Sequence, residues 1–389
     1  MNEHAQTRIV IAAGGTAGHV VPALAVADAL RSGGARVVFI GGGRAEAELV
    51  PAAGYELRQI AVEGLSRRNP LRAARAVARS AAAVRASRAL LRELSAGAVM
   101  GGGGYVAGPV GLAALSLRVP LVLTEADRHL GLANRALAPW ARRVCLAFAL
   151  PGRDGPRYRV TGRPVPAPAT DRAAARELLA IPAQATCVLV FGGSLGARSI
   201  NLAALEGLAS GGHEGGAPHS GHPPWRGAGR QPDTVGERGR SSQSRLHVLH
   251  VCGSRDWPEL SRRPRPDGYD LREYLDSATF SQALAASDLV VARSGGSVFE
   301  LAAHGCPAVL VPYPHASADH QSANARWMAG AGAAVVVPDA ELDGPRLARE
   351  VGALLADRPR LAAMARASAG LARPDAAADV AAELLEAAR

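Results

Sequence analysis

Apolar residues fall in short unbroken runs, each closed by glycines and followed by a stretch of helical period. RIVIA at 8–12 meets the turn Gly14-Gly15-Thr16-Ala17-Gly18-His19, and a helical pattern follows over 22–31. A second apolar run spans 37–40. After an Arg-rich helical stretch come a run at 98–100, a glycine loop at 101–108, a helical segment at 110–117 and a run at 120–123. Runs without polar alternation are buried on both faces, and their alternation with helices predicts a doubly wound parallel sheet.

The second half repeats this plan. The run at 188–191 enters Gly192-Gly193-Ser194-Leu195-Gly196 and a helix from Ala197, and the run at 289–292 enters Arg293-Ser294-Gly295-Gly296-Ser297, a helix over 298–304 and a strand over 308–311. Two Rossmann-like domains in tandem are expected, 1–163 and 164–389, joined by the stiff connector Arg163-Pro164-Val165-Pro166-Ala167-Pro168. Residues 210–245, rich in Gly, Pro, Ser and Arg, read as a surface insertion without a core.

With 389 residues, 48% of them hydrophobic and 20% charged, the chain has the length for two ordinary cores. No run of about 18 apolar residues is long enough to span a bilayer, and a start that leads directly into a strand suggests the cytoplasm. Cys145, Cys187, Cys252 and Cys306 stand singly and read as small buried hydrophobes, without a zinc or redox pattern. The formal charge of +10 is carried wholly by arginine, which favours an anionic partner.

Glycine turns at the carboxyl ends of parallel strands let backbone N–H groups approach phosphates. None here matches the P-loop or the dinucleotide fingerprint. In Ser294-Gly295-Gly296-Ser297-Val298-Phe299-Glu300, a helix start suited to a diphosphate lies beside a carboxylate suited to ribose hydroxyls; Glu300 alone would also complement the helix dipole. The polar run Asp319-His320-Gln321-Ser322-Ala323-Asn324 suits sugar hydroxyls, while Asp319 equally suits a helix cap. His19 is the first candidate base and Glu125 the second, against ordinary structural roles for both. Arg72, Arg75 and Arg79 recur at i, i+3, i+7 in the basic helical stretch, a face suited to anionic lipid or simply to water. Base-stacking aromatics are missing from that stretch, which argues against nucleic acid.

Seven segments, taken in order, resemble the MurG family of transferases, which add N-acetylglucosamine to undecaprenyl-diphosphate-linked N-acetylmuramoyl-pentapeptide. They are GGTAGHVVPALAVADAL (14–30), GGGGYVAGPVGLAAL (101–115), TEADRHLGLANR (124–135), TGRPV (161–165), FGGSLGARSIN (191–201), RSGGSVFELAAHGCPAVLVPYP (293–314) and DHQSANA (319–325). The resemblance implies a GT-B fold with an interdomain cleft, a UDP-sugar on the second domain and a lipid-linked acceptor on the first. It places Ser194 and the backbone of Gly296, Ser297 and Val298 at the UDP phosphates, Glu300 at the ribose and Leu275 near the uracil. Thr16, Ala17 and Gly18 would line the donor side, with Asp127, Asp319 and Gln321 toward the donor sugar. Gly102, Gly103, Gly104 and Tyr105 would lie near the acceptor diphosphate.

The implied reaction inverts the anomeric carbon, with His19 or Glu125 as base and no cofactor or metal required; the sequence does not imply a divalent cation. The resemblance also implies a peripheral position on the cytoplasmic face of the plasma membrane, with an anionic lipid surface and cell-wall synthesis or division proteins as candidate partners. The chain departs from the family pattern at Ala126-Asp127, where Gln-Asn is usual, at Pro166, where Arg is usual and for which nearby Arg163 is a candidate substitute, and in the lengths of the segments around 274–280 and 293–300. A different UDP-sugar or lipid, a nonhydrolysing epimerase and a noncatalytic UDP-sugar binder are the competing readings.

Overall fold

The computed structural model describes residues 6–62, 70–193, 196–209, 246–316 and 319–389, and over 70–80 the course of the helix only. The insertion at 210–245, Ser194, Arg67 and Arg68, and the side chains of Arg72, Arg75 and Arg79 therefore lie outside the described residues.

Strands β1 (Arg8–Ala12), β2 (Arg36–Gly41), β3 (Glu56–Gln59), β4 (Ala98–Gly101), β5 (Leu121–Glu125), β6 (Arg143–Leu146) and β7 (Tyr158–Val160) form one parallel sheet in the order β3-β2-β1-β4-β5-β6-β7. A second parallel sheet is built from β8 (Thr186–Phe191), β9 (Leu246–Val251), β10 (Tyr269–Arg272), β11 (Leu289–Ala292), β12 (Ala308–Leu310) and β13 (Ala334–Val336), in the order β10-β9-β8-β11-β12-β13. Each order reverses beside its first strand, between β1 and β4 and between β8 and β11. Ligand crevices of open α/β sheets form at such switch points.

The unbroken apolar runs follow from helices on both faces of each sheet. Ile9, Ile11, Val37 and Phe39 enter one core layer while their neighbours Val10, Ala12, Val38 and Ile40 enter the other. The register Ile9↔Val37 and Val10↔Val38 keeps both layers continuous across the strands. In the second sheet, Cys187, Leu189 and Phe191 likewise part from Val188 and Val190. All four cysteines are buried and free.

Two expectations need correction. The first helix is Ala17–Ser32 and takes in the turn, because Thr16 O accepts the N–H groups of His19 and Val20, at 3.0 and 3.3 Å. The final helix, Ala376–Ala387, belongs by packing to the first domain rather than to 164–389. Val380, Ala381 and Leu384 join the core layer of Ile9 and Phe39. Glu383, 3% exposed, accepts from Arg143 Nε at 2.7 Å and Arg159 Nη1 at 2.6 Å. Burial alone would raise its pKa, but the two guanidinium groups outweigh it and hold the carboxylate ionised. The chain thus crosses between domains twice, near 161–165 and near 373–376. A Cβ on Gly162 would fall 2.5 Å from that of Arg373, so the two crossings touch. An aromatic seam also joins the halves: Phe148, just past β6, lies 5.2 Å from Phe299 and 5.3 Å from Trp327, centroid to centroid.

Candidate functional site

The first glycine turn and the loop after β4 are in intimate contact. A Cβ on Gly104 would sit 1.8 Å from Gly14 O, and one on Gly103 would sit 2.7 Å from His19 Cδ2. With φ of +90° at Gly103 and +75° at Gly104, only glycine fits the approach. His19, in the first turn of its helix, has Nδ1 3.3 Å from Thr16 Oγ1. Burial and then the Arg163 charge lower its pKa, while Asp127 and Glu46 act in the opposite sense. The net effect is an imidazole neutral at pH 7, the form able to accept a proton.

His19 opens on a cavity of about 580 Å³ in the first domain, lined also by Gly102–Tyr105, Glu125, Asp127 and Asn134. Its apolar rim includes Leu112 and Leu132, 52% and 53% exposed. Glu125 ends β5, and its carboxylate is committed to the loop that follows. It accepts from Asp127 N–H at 3.1 Å, Gly131 N–H at 2.8 Å and Asn134 Nδ2 at 3.0 Å. That geometry suits a loop organiser better than a base. Asp127 lines this cavity and not the one on the donor side.

A neighbouring cavity of about 340 Å³ lies between the domains. Thr16, Ala17 and Gly18 face it from one side; Leu275, Gly296, Ser297, Glu300 and Gln321 face it from the other. Burial pushes the Glu300 carboxyl up to about 7, with Arg163 as the counterweight. Tyr313 N–H donates to Gln321 Oε1 at 2.9 Å, so the remaining Gln321 amide nitrogen is available as a donor. Ser294 Oγ donates to Gln321 O at 2.8 Å, and Asn324 Nδ2 to Ser294 O at 3.1 Å, tying the second-domain turn to the helix His320–Gly330.

Two further donor-side expectations change, besides that for Asp127. Val298 is fully buried and its N–H is bonded to Gly295 O at 3.3 Å, so it supports the turn from behind. Asp319 lies off the cavity lining, 63% exposed at its side chain, 3.5 Å from Arg326.

Arg163, the residue close enough in the sequence to stand in for the Arg usual at Pro166, lines both cavities. Its Nη2 donates to Gly18 O at 2.5 Å, and a Cβ on Gly296 would lie 2.5 Å from that same nitrogen. Burial disfavours its charge, which Glu300, Asp127 and Glu125 support in that order. Glu46 escaped the sequence reading altogether; in a helix's first turn it looks like a dipole complement, yet it is 0% exposed and bonded into the first turn.

Comparison with known proteins places this architecture. The glycosyltransferase family 28 N-terminal domain matches residues 9–146, and the family's C-terminal domain matches residues 187–380. The chain belongs to glycosyltransferase family 28. A family-28 relative from Moorella thermoacetica, named UDP-N-acetylglucosamine--N-acetylmuramyl-(pentapeptide) pyrophosphoryl-undecaprenol N-acetylglucosamine transferase, is 39% identical over 384 residues, 95% of this chain and 96% of its own. A protein of the same name from Alkalilimnicola ehrlichii is 40% identical over 397 residues, 98% and 99% of the two chains. The crystal structure of MurG from Acinetobacter baumannii superposes with a TM-score of 0.68 at 26% identity, covering 98% of this chain and 99% of that one. A UDP-GlcNAc 2-epimerase from Neisseria meningitidis reaches 0.63 at 14% identity, which is likeness of fold alone. The family-28 chain is thus a two-domain GT-B protein whose two cavities meet at Gly18, Pro22, Arg163 and Pro164.

Proposed function

We propose that this chain transfers N-acetylglucosamine from UDP-N-acetylglucosamine to the 4-hydroxyl of N-acetylmuramoyl-pentapeptide-diphospho-undecaprenol, with inversion at the anomeric carbon. The observation that carries this reading is the meeting of two cavities at one cation, with a neutral histidine on one side and a carboxylate suited to ribose on the other. Relatives of the printed name and near-complete overlap support the same donor and acceptor.

In this mechanism the UDP-sugar lies in the interdomain cavity, with its ribose on Glu300, its uracil near Leu275 and its diphosphate between Gly18 and Gly296. The lipid-linked acceptor enters the first-domain cavity past Leu112 and Leu132. His19 accepts the proton of the acceptor hydroxyl as the oxygen attacks the anomeric carbon. The bond from that carbon to the β-phosphate oxygen breaks with its electron pair on the oxygen, and UDP leaves. Arg163 and the glycine turns stabilise the charge that develops there. Gln321 donates to the donor sugar.

Peripheral attachment to the cytoplasmic face of the plasma membrane completes the reading, with the Arg-rich helix Pro70–Glu93 near anionic lipid. Among the described residues, no helix is long and apolar enough to cross a membrane. The test is incubation of purified protein with UDP-N-acetylglucosamine and a short-chain lipid-linked muramoyl-pentapeptide, following UDP release and product mass together. Coupled UDP and disaccharide formation is expected; UDP-sugar binding without transfer would overturn the proposal.

A further inference from the structure

Glu46 is fully buried in the helix Ala45–Ala52, where a carboxylate without a cation is costly. No ion pair reaches it among the described residues. Three donors do, each from a different segment. Gly15 N–H donates to Oε2 at 2.8 Å, Gly42 N–H to Oε1 at 2.9 Å, and Tyr105 Oη–H to Oε1 at 2.6 Å. The first comes from the turn that carries His19, the second from the end of β2 and the third from the Gly102–Tyr105 loop. The fit leaves no room for other side chains, since a Cβ on Gly42 would fall 2.0 Å from Tyr105 Oη. Arg44 caps the arrangement, its Cζ 4.8 Å above the Tyr105 ring.

Burial by itself would raise the Glu46 pKa; the Tyr105 and backbone hydrogen bonds outweigh it and keep the group ionised. Burial and the same bond push the Tyr105 phenol up to about 12, so it stays a donor. The carboxylate satisfies both backbone donors and the phenol at once, which neither an amide nor a shorter acid can do.

We propose that Glu46 is a positioning residue that locks His19 and the Gly102–Tyr105 loop into one rigid acceptor-side unit. The proposal builds on the transfer reaction above, with Glu46 touching neither substrate. It predicts a larger effect on turnover and acceptor KM than on UDP affinity, because Tyr105 and His19 face the acceptor cavity while Gly15 only leads into the Thr16–Gly18 edge of the donor cavity.

The experiment compares Glu46→Gln, Tyr105→Phe and the double variant. Glu46→Gln is expected to lower kcat/KM for the lipid-linked acceptor by about tenfold to a hundredfold, as misplacement of reacting groups does, with a several-fold smaller fall in UDP affinity. Tyr105→Phe should fall in the same direction by less, and the double variant should lose less than the product of the two factors, since the phenol acts through the carboxylate. Histidine NMR titration reads the arrangement without any acceptor, so it stands even if the transfer assay fails in the parent protein. Loss of the Glu46 charge should move the His19 midpoint down, whereas loss of local structure would move it up toward about 6.5. Unchanged kinetics and an unmoved His19 midpoint, or an equal fall in UDP affinity, would overturn the proposal.

Discussion

Arg163 Nη2 donates to the carbonyl of Gly18 at 2.5 Å, which fixes a connector cation against the first-domain turn and beside Gly296 of the second. No carboxylate among the described residues lies within ion-pair distance of this guanidinium, so most of its donors remain for a ligand. A diphosphate in the interdomain cavity would take them. Arg163→Gln should weaken UDP binding by about tenfold or more, the scale of a charge-assisted hydrogen bond, and uridine binding by less, through the loss of the charge that favours ionised Glu300. Calorimetric titration of both ligands into both proteins makes the comparison, and an equal loss for uridine and UDP would rule the phosphate role out.

His19 differs from Arg163 in acting on the proton of the acceptor. His19→Ala should cut turnover by about a hundredfold to ten-thousandfold with UDP affinity little changed. The neutral form is the active one, and burial with Arg163 lowers its pKa. Activity should therefore be complete above neutrality and fall as pH drops through a midpoint below about 6.5. A pH profile of kcat in the parent protein checks this; an acid limb above that value would assign the base elsewhere.

Both sheets could be read from runs such as 8–12 and 188–191, because a strand covered on both faces has no polar alternation to obscure it. The destination of Ala376–Ala387 could not, since an amphipathic helix does not announce which of two similar sheets it covers. Site residues divide the same way. Gly103, Gly104 and Glu300 sit in motifs whose local geometry is their function. Glu46 takes its role from donors 31 and 59 residues away, and Glu125 lost its second-choice place as base to donors from its own loop. Arg163 acquires its position only when the two domains meet.

Glu300 offers a prediction in a range of pH where most carboxylates are silent. Its pKa is raised to about 7 by burial, against the opposing Arg163 charge. An ionised carboxylate can accept from both ribose hydroxyls, whereas the protonated group keeps one oxygen as a donor. Uridine affinity should rise several-fold between about pH 6 and 8. Uridine is the probe because the phosphates of UDP titrate in the same range. Glu300→Gln should bind more weakly and show a flat profile, and 2′-deoxyuridine should show a smaller rise in the parent protein. A flat profile for uridine in the parent would remove Glu300 from the ribose.

His250, fully buried on β9, should make folding stability depend on acid pH. Its ring lies 2.8 Å from Tyr269 Oη at Nδ1 and 3.1 Å from Asn201 Oδ1 at Nε2. Asn201 Nδ2 already donates to Cys252 O and Asp256 Oδ2, both at 2.8 Å, which aims its carbonyl oxygen at the imidazole. The tautomer carrying its proton on Nε2 satisfies every partner, with Tyr269 donating to Nδ1; a second ring proton would face that donor. Burial and the Arg265 charge accordingly push the His250 pKa down to about 3. Below about 6.5 the unfolded chain binds a proton that the folded one refuses, so stability is complete above that value and declines as pH falls toward about 3. His250→Gln should remove about one proton from the linkage, making the slope of unfolding free energy between pH 6 and 5 shallower by about 1.4 kcal/mol per pH unit. Urea unfolding at several pH values measures that slope apart from any baseline loss of stability. Equal slopes would mean that the folded protein protonates His250 as readily as the unfolded chain does.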